Sequence, residues 1–172
     1  MTVYLGCGLT HVPRAVFLDH VAMLHRIATE LERTGTEVMY ALKHSDPQLA
    51  EKPFEERARL CYLWDRKLVE RSDVLIAEAT YPSTGLGIEM QMAESRGKPI
   101  IICFRASIDT RAAEVRYENP DHTRHTLQIG EGYVSLMALG IPSVFKIIPY
   151  ERPDDCISQL ARAILELKRD DL

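Results

Sequence analysis

The chain has 172 residues, 46% of them hydrophobic, which is enough to form a packed core, and we expect one domain spanning residues 1–172. Its 21 lysine and arginine residues stand against 25 aspartate and glutamate residues, and the net charge of -4 argues against a nucleic-acid polymer as partner. The first residues lack a basic segment followed by an apolar one, and no apolar run reaches the ~18 residues of a membrane span, so we expect a cytoplasmic protein with no membrane partner.

The first part of the chain alternates short apolar runs with segments of helical periodicity. Residues 3–7 form an apolar run closed by glycines, which predicts a buried strand and a turn. Residues 15–33 carry apolar side chains at helical spacing and stop at Thr34-Gly35, so a helix follows. Residues 37–42 predict a second strand, and a polar loop through 44–47 leads to a helix over 53–71.

The second part repeats this order. Residues 73–79 are apolar apart from Glu78 and predict a strand, followed by a helix over 86–96, a strand over 100–104, a strand over 144–148 and an amphipathic helix over 154–168. Strands that are apolar throughout and alternate with helices are typical of a parallel sheet covered on both faces. We therefore predict an α/β fold, a single doubly wound, flavodoxin-like sheet of five parallel strands.

The region between the last two strands gives a weaker pattern. Residues 117–122 indicate a surface loop, and residues 133–139 indicate a short helix that ends at Gly140. The four cysteines are widely spaced, which predicts neither a zinc site nor a disulfide framework, and Cys103 lies in an apolar run where we expect a buried thiol. His122 and His125 lack a carboxylate at ligand spacing, so no metal and no cofactor is predicted.

The loop after the third predicted strand has the features of an anion site. Ligands of open parallel sheets bind beyond the carboxyl ends of the strands. This loop contains Ser83, Gly85 and Gly87 before the next helix, so hydroxyl groups, close backbone approach and free N–H groups coincide. The pattern matches neither the dinucleotide fingerprint nor the P-loop, and it is also compatible with a tight connection alone.

Glu89 follows this loop in the predicted first turn of the helix. Leu86 and Met92 lie three residues to either side of it, so its carboxylate should be shielded from water while the helix N-terminus keeps it ionised. Those are the conditions for a nucleophile. A glutamate stabilised only by the helix dipole is the alternative.

The segment from Asp65 to Glu89, DRKLVERSDVLIAEATYPSTGLGIE, resembles the nucleoside 2-deoxyribosyltransferase superfamily, closest to the branch of 2′-deoxynucleoside 5′-phosphate N-hydrolases. An acidic residue eight positions before the start of the strand and a loop of the form P-S-x-G-x-G-x-E are both present at matching spacing. The run Gly97-Lys98-Pro99-Ile100 is also typical. The match is specific over residues 65–105.

The resemblance implies roles for individual residues. Glu89 would attack the anomeric carbon and form a glycosyl-enzyme, while Asp65 would protonate or orient the departing base. Ser83 with Gly85 and Gly87 would hold the 5′-phosphate. The remaining substrate-binding candidates are Tyr4 and Gly6 on the first strand, His11 on the loop after it, and Ser135.

Two departures from the family pattern affect phosphate binding. The family's first loop carries a serine and an arginine, whereas this chain continues from Gly6 through His11, with Arg14 as the nearest basic residue. The chain is also longer before its last strand, where the family implies a phosphate-binding serine from a neighbouring subunit, and Ser135 is the candidate. The resemblance implies a homodimer or larger homo-oligomer.

The leading hypothesis is hydrolysis of the N-glycosidic bond of a (deoxy)nucleoside 5′-monophosphate to a free base and a sugar 5-phosphate. A nucleoside 2-deoxyribosyltransferase that exchanges nucleobases through the same intermediate on Glu89 is the first alternative. A non-catalytic nucleotide-binding protein is the second, although the presence of both carboxylates, Glu89 and Asp65, argues against it.

Overall fold

The computed structural model of the chain describes residues 1–170 and is built around a five-stranded parallel sheet. The strands within these residues are β1 (Thr2–Cys7), β2 (Glu37–Tyr40), β3 (Val74–Glu78), β4 (Ile100–Arg105), β5 (Arg116–Glu118), β6 (Arg124–Thr126) and β7 (Val144–Tyr150). Five of them form the sheet in the order β2-β1-β3-β4-β7, and β5 pairs with β6 in a separate antiparallel hairpin. The predicted doubly wound, flavodoxin-like fold is confirmed.

Helices cover both faces of this sheet. They are α1 (Phe17–Arg33), α2 (Ala41–His44), α3 (Asp46–Leu49), α4 (Phe54–Arg71), α5 (Thr84–Glu94), α6 (Leu136–Leu139) and α7 (Pro153–Asp170). The side chains of α1 and α7 pack in one apolar cluster with Leu5 and Ile76, and those of α4 and α5 pack in another with Leu75 and Ala77. Successive residues of β3 thus face opposite layers, as the period of two in a strand requires.

The order of the strands determines where a site can form. β1 and β3 are adjacent at the centre of the sheet, and Cys7 pairs with Glu78 at their carboxyl ends. The chain leaves β1 toward one face and β3 toward the other, because α1 and α5 lie in different layers. A crevice beyond the central strands follows from this reversal.

Three local predictions were correct only in part. The strand over 37–42 ends at Tyr40, and the following polar loop folds into the short helices α2 and α3. The expected surface loop over 117–122 is part of the β5–β6 hairpin, whose turn includes His122 with a φ of 65°. The expected helix over 133–139 is limited to α6, because Gly130 and Gly132 with positive φ hold the preceding chain in turns.

Two further predictions concern burial and the membrane. Cys103 is fully buried, as the apolar run around it predicted. Within residues 1–170, every helix falls short of the length and apolar character that a bilayer crossing requires.

Candidate active site

A hydrogen bond joins the first strand to the helix that carries the candidate nucleophile. Tyr4, which is 1% exposed, faces the layer of α4 and α5. Its hydroxyl donates to Oε1 of Glu89 over 2.8 Å. The other oxygen, Oε2, is buried and has no hydrogen-bond partner among the described residues. One oxygen of the carboxyl group is therefore held by the phenol, while the second lies beside Gly6 without a hydrogen-bond partner among the described residues.

Ser83 begins α5 and so sets the position of Glu89. Its Oγ accepts a hydrogen bond from the N–H of Leu86 at 3.2 Å, which is the arrangement of a helix N-cap. The helix starts at Thr84, two residues earlier than the sequence predicted. Glu89 consequently lies in the second turn of the helix, where the field of the helix dipole is weaker than in the first turn.

Burial controls the ionisation of Glu89. Loss of solvation raises the pKa of its carboxyl group to about 8, the hydrogen bond from Tyr4 opposes that rise, and the charge of Asp65 adds to it. Burial therefore dominates the pKa of Glu89, contrary to the expectation that the helix N-terminus keeps this group ionised. Burial likewise raises the pKa of Tyr4 well above its usual value, so the phenol is a proton donor to the carboxyl group throughout the neutral range.

Asp65 projects from α4 toward the same site and is held by two donors. The hydroxyl of Ser45 donates to Oδ1 over 2.7 Å, and the thiol of Cys61 donates to Oδ2 over 3.3 Å. Asp65 is half-buried rather than solvated, and its charge acts on both Tyr4 and Glu89. Ser45 was not identified from the sequence, because its polar surroundings are typical of a loop.

The predicted glycines differ in what they contact. Gly6 lies against the carboxyl group of Glu89, so its lack of a side chain leaves room for that group. A Cβ on Gly87 would meet nothing within 4 Å, so the space above it is open. Gly8, which the sequence did not single out, lies so close to the loop after β3 that a Cβ would be 2.8 Å from the carbonyl oxygen of Tyr81.

A cleft of about 860 Å³ lies next to the N-terminus of α5. Four of the predicted substrate-binding residues line it, namely His11, Ser83, Gly87 and Ser135. Gly85 is exposed but is not part of the lining, and neither are Glu89, Asp65 and Tyr4. Leu86 connects the two regions, because it lines the cleft and also lies beside Gly6 and Glu89.

The segment between β4 and β7 forms the opposite wall of this cleft. Tyr133 stacks on Phe104 with ring centroids 5.4 Å apart, which anchors the segment to the end of β4. Arg111 lines the cleft, and its Nε donates to the carbonyl oxygen of Glu131 over 2.9 Å. The sequence analysis missed Arg111, since a region without clear periodicity gives no reason to select one of its arginines.

A second buried carboxyl group lies on the opposite face of the sheet. Glu78 is fully buried, accepts hydrogen bonds from Tyr150 over 2.8 Å and from Thr80, and lies 3.7 Å from Nε2 of His20. Burial raises the pKa of Glu78, while His20, Thr80 and Tyr150 oppose that rise. Because Thr80 also accepts a hydrogen bond from the N–H of Arg105 at 2.8 Å, this network ties together the carboxyl ends of β3, β4 and β7.

No group of three or more histidine, cysteine, aspartate or glutamate side chains suited to a metal ion occurs within the described part of the chain. The arrangement on the α4 and α5 side is instead a pair of carboxyl groups, Glu89 and Asp65, with a phenol donor. Two carboxyl groups in different environments are the machinery that glycosidic bond cleavage uses.

The fold and this site together define a flavodoxin-like α/β protein with a carboxylate pair at the carboxyl edge of its sheet. The family model of nucleoside 2-deoxyribosyltransferases matches residues 3–127. The chain therefore belongs to the nucleoside 2-deoxyribosyltransferase family, and the resemblance inferred from its motifs is confirmed.

Curated relatives carry narrower names. A putative 2′-deoxynucleoside 5′-phosphate N-hydrolase of Methanosarcina barkeri is 35% identical over 92 residues, which cover 54% of this chain and 56% of that protein. A protein of the same name from Thermofilum pendens is 31% identical over 117 residues, covering 67% of this chain and 77% of that protein. The chain thus spans little more than half the length of the first of these relatives.

Solved structures support the fold. A CMP N-glycosidase from Clostridium botulinum superposes with a TM-score of 0.55 at 18% identity, covering 93% of this chain and 97% of that one. A conserved protein from Enterococcus faecalis gives a TM-score of 0.58 at 17% identity, covering 94% and 97%. At these identities the comparison bears on the fold alone.

Proposed function

We propose that this protein hydrolyses the N-glycosidic bond of a (deoxy)nucleoside 5′-monophosphate, with Glu89 as the nucleophile. The observation that carries the proposal is the Glu89 carboxyl group itself. Its Oε1 accepts the hydrogen bond from Tyr4, and its buried Oε2 has no partner within the described residues. A buried polar atom without a partner is costly, and such atoms are concentrated at functional sites.

The reaction begins with attack of Oε2 on C1′ of the sugar. The C1′–O bond forms as the C1′–N bond breaks, and the electron pair of the broken bond leaves with the base nitrogen. Water then attacks C1′ of the glycosyl ester, the C1′–O bond to Glu89 breaks, and the carboxylate is regenerated. The products are a free base and a sugar 5-phosphate.

The raised pKa of Glu89 fits this role once substrate charge is considered. With a pKa of about 8, roughly one carboxyl group in ten is ionised at neutral pH. The transition state of glycoside cleavage carries positive charge on the sugar ring, and a carboxylate with little solvation interacts with that charge strongly. Burial thus lowers the fraction of Glu89 that is ionised before the reaction. It also strengthens the attraction between the carboxylate and the positive charge that develops on the sugar.

Asp65 is the second carboxyl group of the mechanism. Protonation of the departing nitrogen lowers the barrier to cleavage, and in the second step the same group accepts a proton from the attacking water. Its charge influences Glu89, so the two groups are electrostatically coupled across the site. The two groups have different hydrogen-bond donors: Tyr4 donates to Glu89, whereas Ser45 and Cys61 donate to Asp65.

The residues that line the cleft support the proposal that the substrate carries a phosphate group. Ser83, Gly87 and the N-terminus of α5 line it on one side, and helix N-termini with free N–H groups favour anions. Arg111 lines the other side and uses one of its five N–H donors on Glu131. An arginine in this position supplies the cation that the loop after β1 lacks, and His11 and Ser135 are further contacts.

The named relatives support the same substrate class. Proteins called 2′-deoxynucleoside 5′-phosphate N-hydrolase match about half of the chain, and Asp65 and Glu89 both lie within residues 3–127, which the family model matches. Membership of the family also supports the transferase, because both reactions pass through the same glycosyl ester and differ only in the acceptor.

Incubation with a panel of nucleosides and their 5′-monophosphates, with and without a second base, tests the proposal. Release of free base and sugar 5-phosphate from monophosphates alone supports the hydrolase. Appearance of a new nucleoside in the presence of the second base identifies a transferase, and saturable binding without turnover identifies a nucleotide-binding protein. Either of the last two results overturns the hydrolase assignment.

A further inference from the structure

The carboxyl group of Asp65 is held asymmetrically. The Ser45 hydroxyl lies 2.7 Å from Oδ1, a short hydrogen bond to one oxygen, while the Cys61 thiol lies 3.3 Å from Oδ2. Thiols are weak hydrogen-bond donors, so the second contact is easily replaced. A group on the substrate can therefore displace the thiol from Oδ2 without disturbing Oδ1.

Ser45 itself is rigidly placed. It is 1% exposed, and its backbone is fixed on both sides, because its N–H donates to the carbonyl of Ala41 and its carbonyl accepts from the N–H of Leu49, each over 3.1 Å. The residue stands where α2 meets α3, directly after the second strand of the sheet. A buried hydroxyl needs a partner, and here that partner is Asp65.

We propose that Ser45 is a positioning residue that directs the proton of Asp65 to the departing base, an inference that rests on the function proposed above. In the reactive form of the site, with Glu89 ionised and the acidic proton on Asp65, a hydroxyl that donates to Oδ1 leaves that proton on Oδ2. When the C1′–N bond breaks, its electron pair goes to the base nitrogen, and the proton moves from Oδ2 to that nitrogen. The negative charge left on Asp65 is then stabilised at Oδ1 by the Ser45 hydrogen bond.

This role predicts a dependence on the leaving group. Hydrogen bonds to charged groups contribute enough that removal of one slows the step it serves about tenfold or more. The loss in Ser45→Ala should be largest for a base that needs protonation in order to leave. It should shrink for a base that departs readily by itself, because such a base requires little help from Asp65.

The test compares kcat for two substrates that differ only in the base. One is the monophosphate identified in the panel above, and the other carries an electron-withdrawing substituent on the base, such as the 5-fluoro derivative of a pyrimidine. We expect Ser45→Ala to lose about tenfold or more on the first and less than about threefold on the second. Equal losses on the two substrates, or no loss on the first, overturn the proposal.

Ser72→Ala is the matched control. Ser72 is also a buried serine, 2% exposed, but its hydroxyl donates to the carbonyl of Val69 over 2.8 Å and contacts no carboxylate. We expect this variant to show no leaving-group dependence. If Ser45→Ala does not fold, Ser45→Cys retains a weak donor and should show the same trend with a smaller loss. A uniform loss in Ser45→Cys also overturns the proposal.

Asp65→Asn separates this inference from the proposed function. If Asp65→Asn keeps full activity on both substrates, Asp65 is not the acid of the reaction, and the proposed role of Ser45 is overturned as well. If Asp65→Asn shows a strong leaving-group dependence while Ser45→Ala shows none, only the positioning role is overturned.

Discussion

Gly6 and Glu89 occupy complementary space: a Cβ on residue 6 would lie 2.7 Å from Oε2 of Glu89 and 2.8 Å from a methyl carbon of Leu86. Such contacts are shorter than van der Waals separation allows, so either the carboxyl group or the helix must move. The absence of a side chain near the carboxyl end of β1 therefore sets the position of the candidate nucleophile on α5.

Gly6→Ala should displace Glu89 and reduce kcat at least tenfold. A displacement of about 1 Å of a catalytic group can cost on the order of 10²-fold in rate, so a loss of this size is expected from the geometry. Steady-state kinetics on the monophosphate substrate provides the measurement. Gly85→Ala is the comparison, because a Cβ there would lie at an ordinary 3.6 Å from Oγ of Ser83, and it should retain most of the activity. Full activity in Gly6→Ala would contradict the placement of Glu89.

Glu89→Gln should abolish turnover and stabilise the protein at high pH. The pKa of Glu89 in the folded chain is raised to about 8 from 4.5, so as the pH rises the unfolded chain releases this proton first. The stability linked to this group is complete below about pH 4.5 and is lost as the pH rises toward 8. Glutamine cannot ionise, and one pKa unit corresponds to about 1.4 kcal/mol. From pH 5 to pH 7, the free energy of unfolding of the variant should therefore increase by more than about 1 kcal/mol relative to that of the unsubstituted chain.

Urea unfolding at these two pH values measures the difference. A free energy of unfolding that changes equally with pH in both proteins would mean that Glu89 ionises freely in the folded state. Residual turnover above a few per cent would remove Glu89 from the role of nucleophile.

Tyr4→Phe should shift the pH dependence of the reaction. The phenol hydrogen bond lowers the pKa of Glu89, so its removal raises that pKa further above 8. If the ionised carboxylate is the reactive form, the rising limb of kcat/KM against pH moves to higher pH. Tyr150→Phe, which removes a buried hydroxyl from Glu78 on the other face, should leave that limb in place. A limb that is unchanged or moves to lower pH in Tyr4→Phe argues against Glu89 as the ionising group.

Arg111→Gln should weaken the preference for phosphorylated substrates. A charge-assisted hydrogen bond contributes ~1.5–3 kcal/mol, so kcat/KM for the monophosphate should fall at least about tenfold, while that for the nucleoside should change little. Arg116, an exposed arginine on β5 that does not line the cleft, provides the control in Arg116→Gln. Equal effects of the Arg111 substitution on both substrates would exclude this arginine from phosphate recognition.

Ser83→Ala should also weaken the preference for phosphorylated substrates, and it should lower the stability of the protein. It removes the N-cap of α5, which costs ~0.5–2 kcal/mol of stability, and it also removes a hydroxyl from the cleft. Monophosphates should lose more kcat/KM than nucleosides. Thermal unfolding measures the loss of stability separately. A loss of stability without a change in substrate preference would mean that Ser83 only caps α5 and does not bind phosphate.

Both the sheet and the family could be predicted from the sequence. Apolar runs such as residues 100–104 predict buried parallel strands because a strand covered on both faces cannot alternate, and the spacing of Asp65 and Glu89 carries the family resemblance. These features are local in the chain, so they can be recognised without knowing what lies next to them. Helix α5 was found for the same reason, with its start misplaced by two residues.

The pKa values in the site and the residues that line the cleft depend on tertiary packing. The pKa of Glu89 depends on burial against β1, and the orientation of Asp65 depends on Ser45, twenty residues earlier in the chain. Arg111 lines the cleft where its segment is hydrogen-bonded to the backbone of Glu131 and Gly132, distant in sequence. Solvation and charge are sums over all neighbours in space, whereas sequence patterns report neighbours along the chain. The sequence therefore identified which carboxyl groups to consider, and the packing determined their partners and raised the pKa of Glu89.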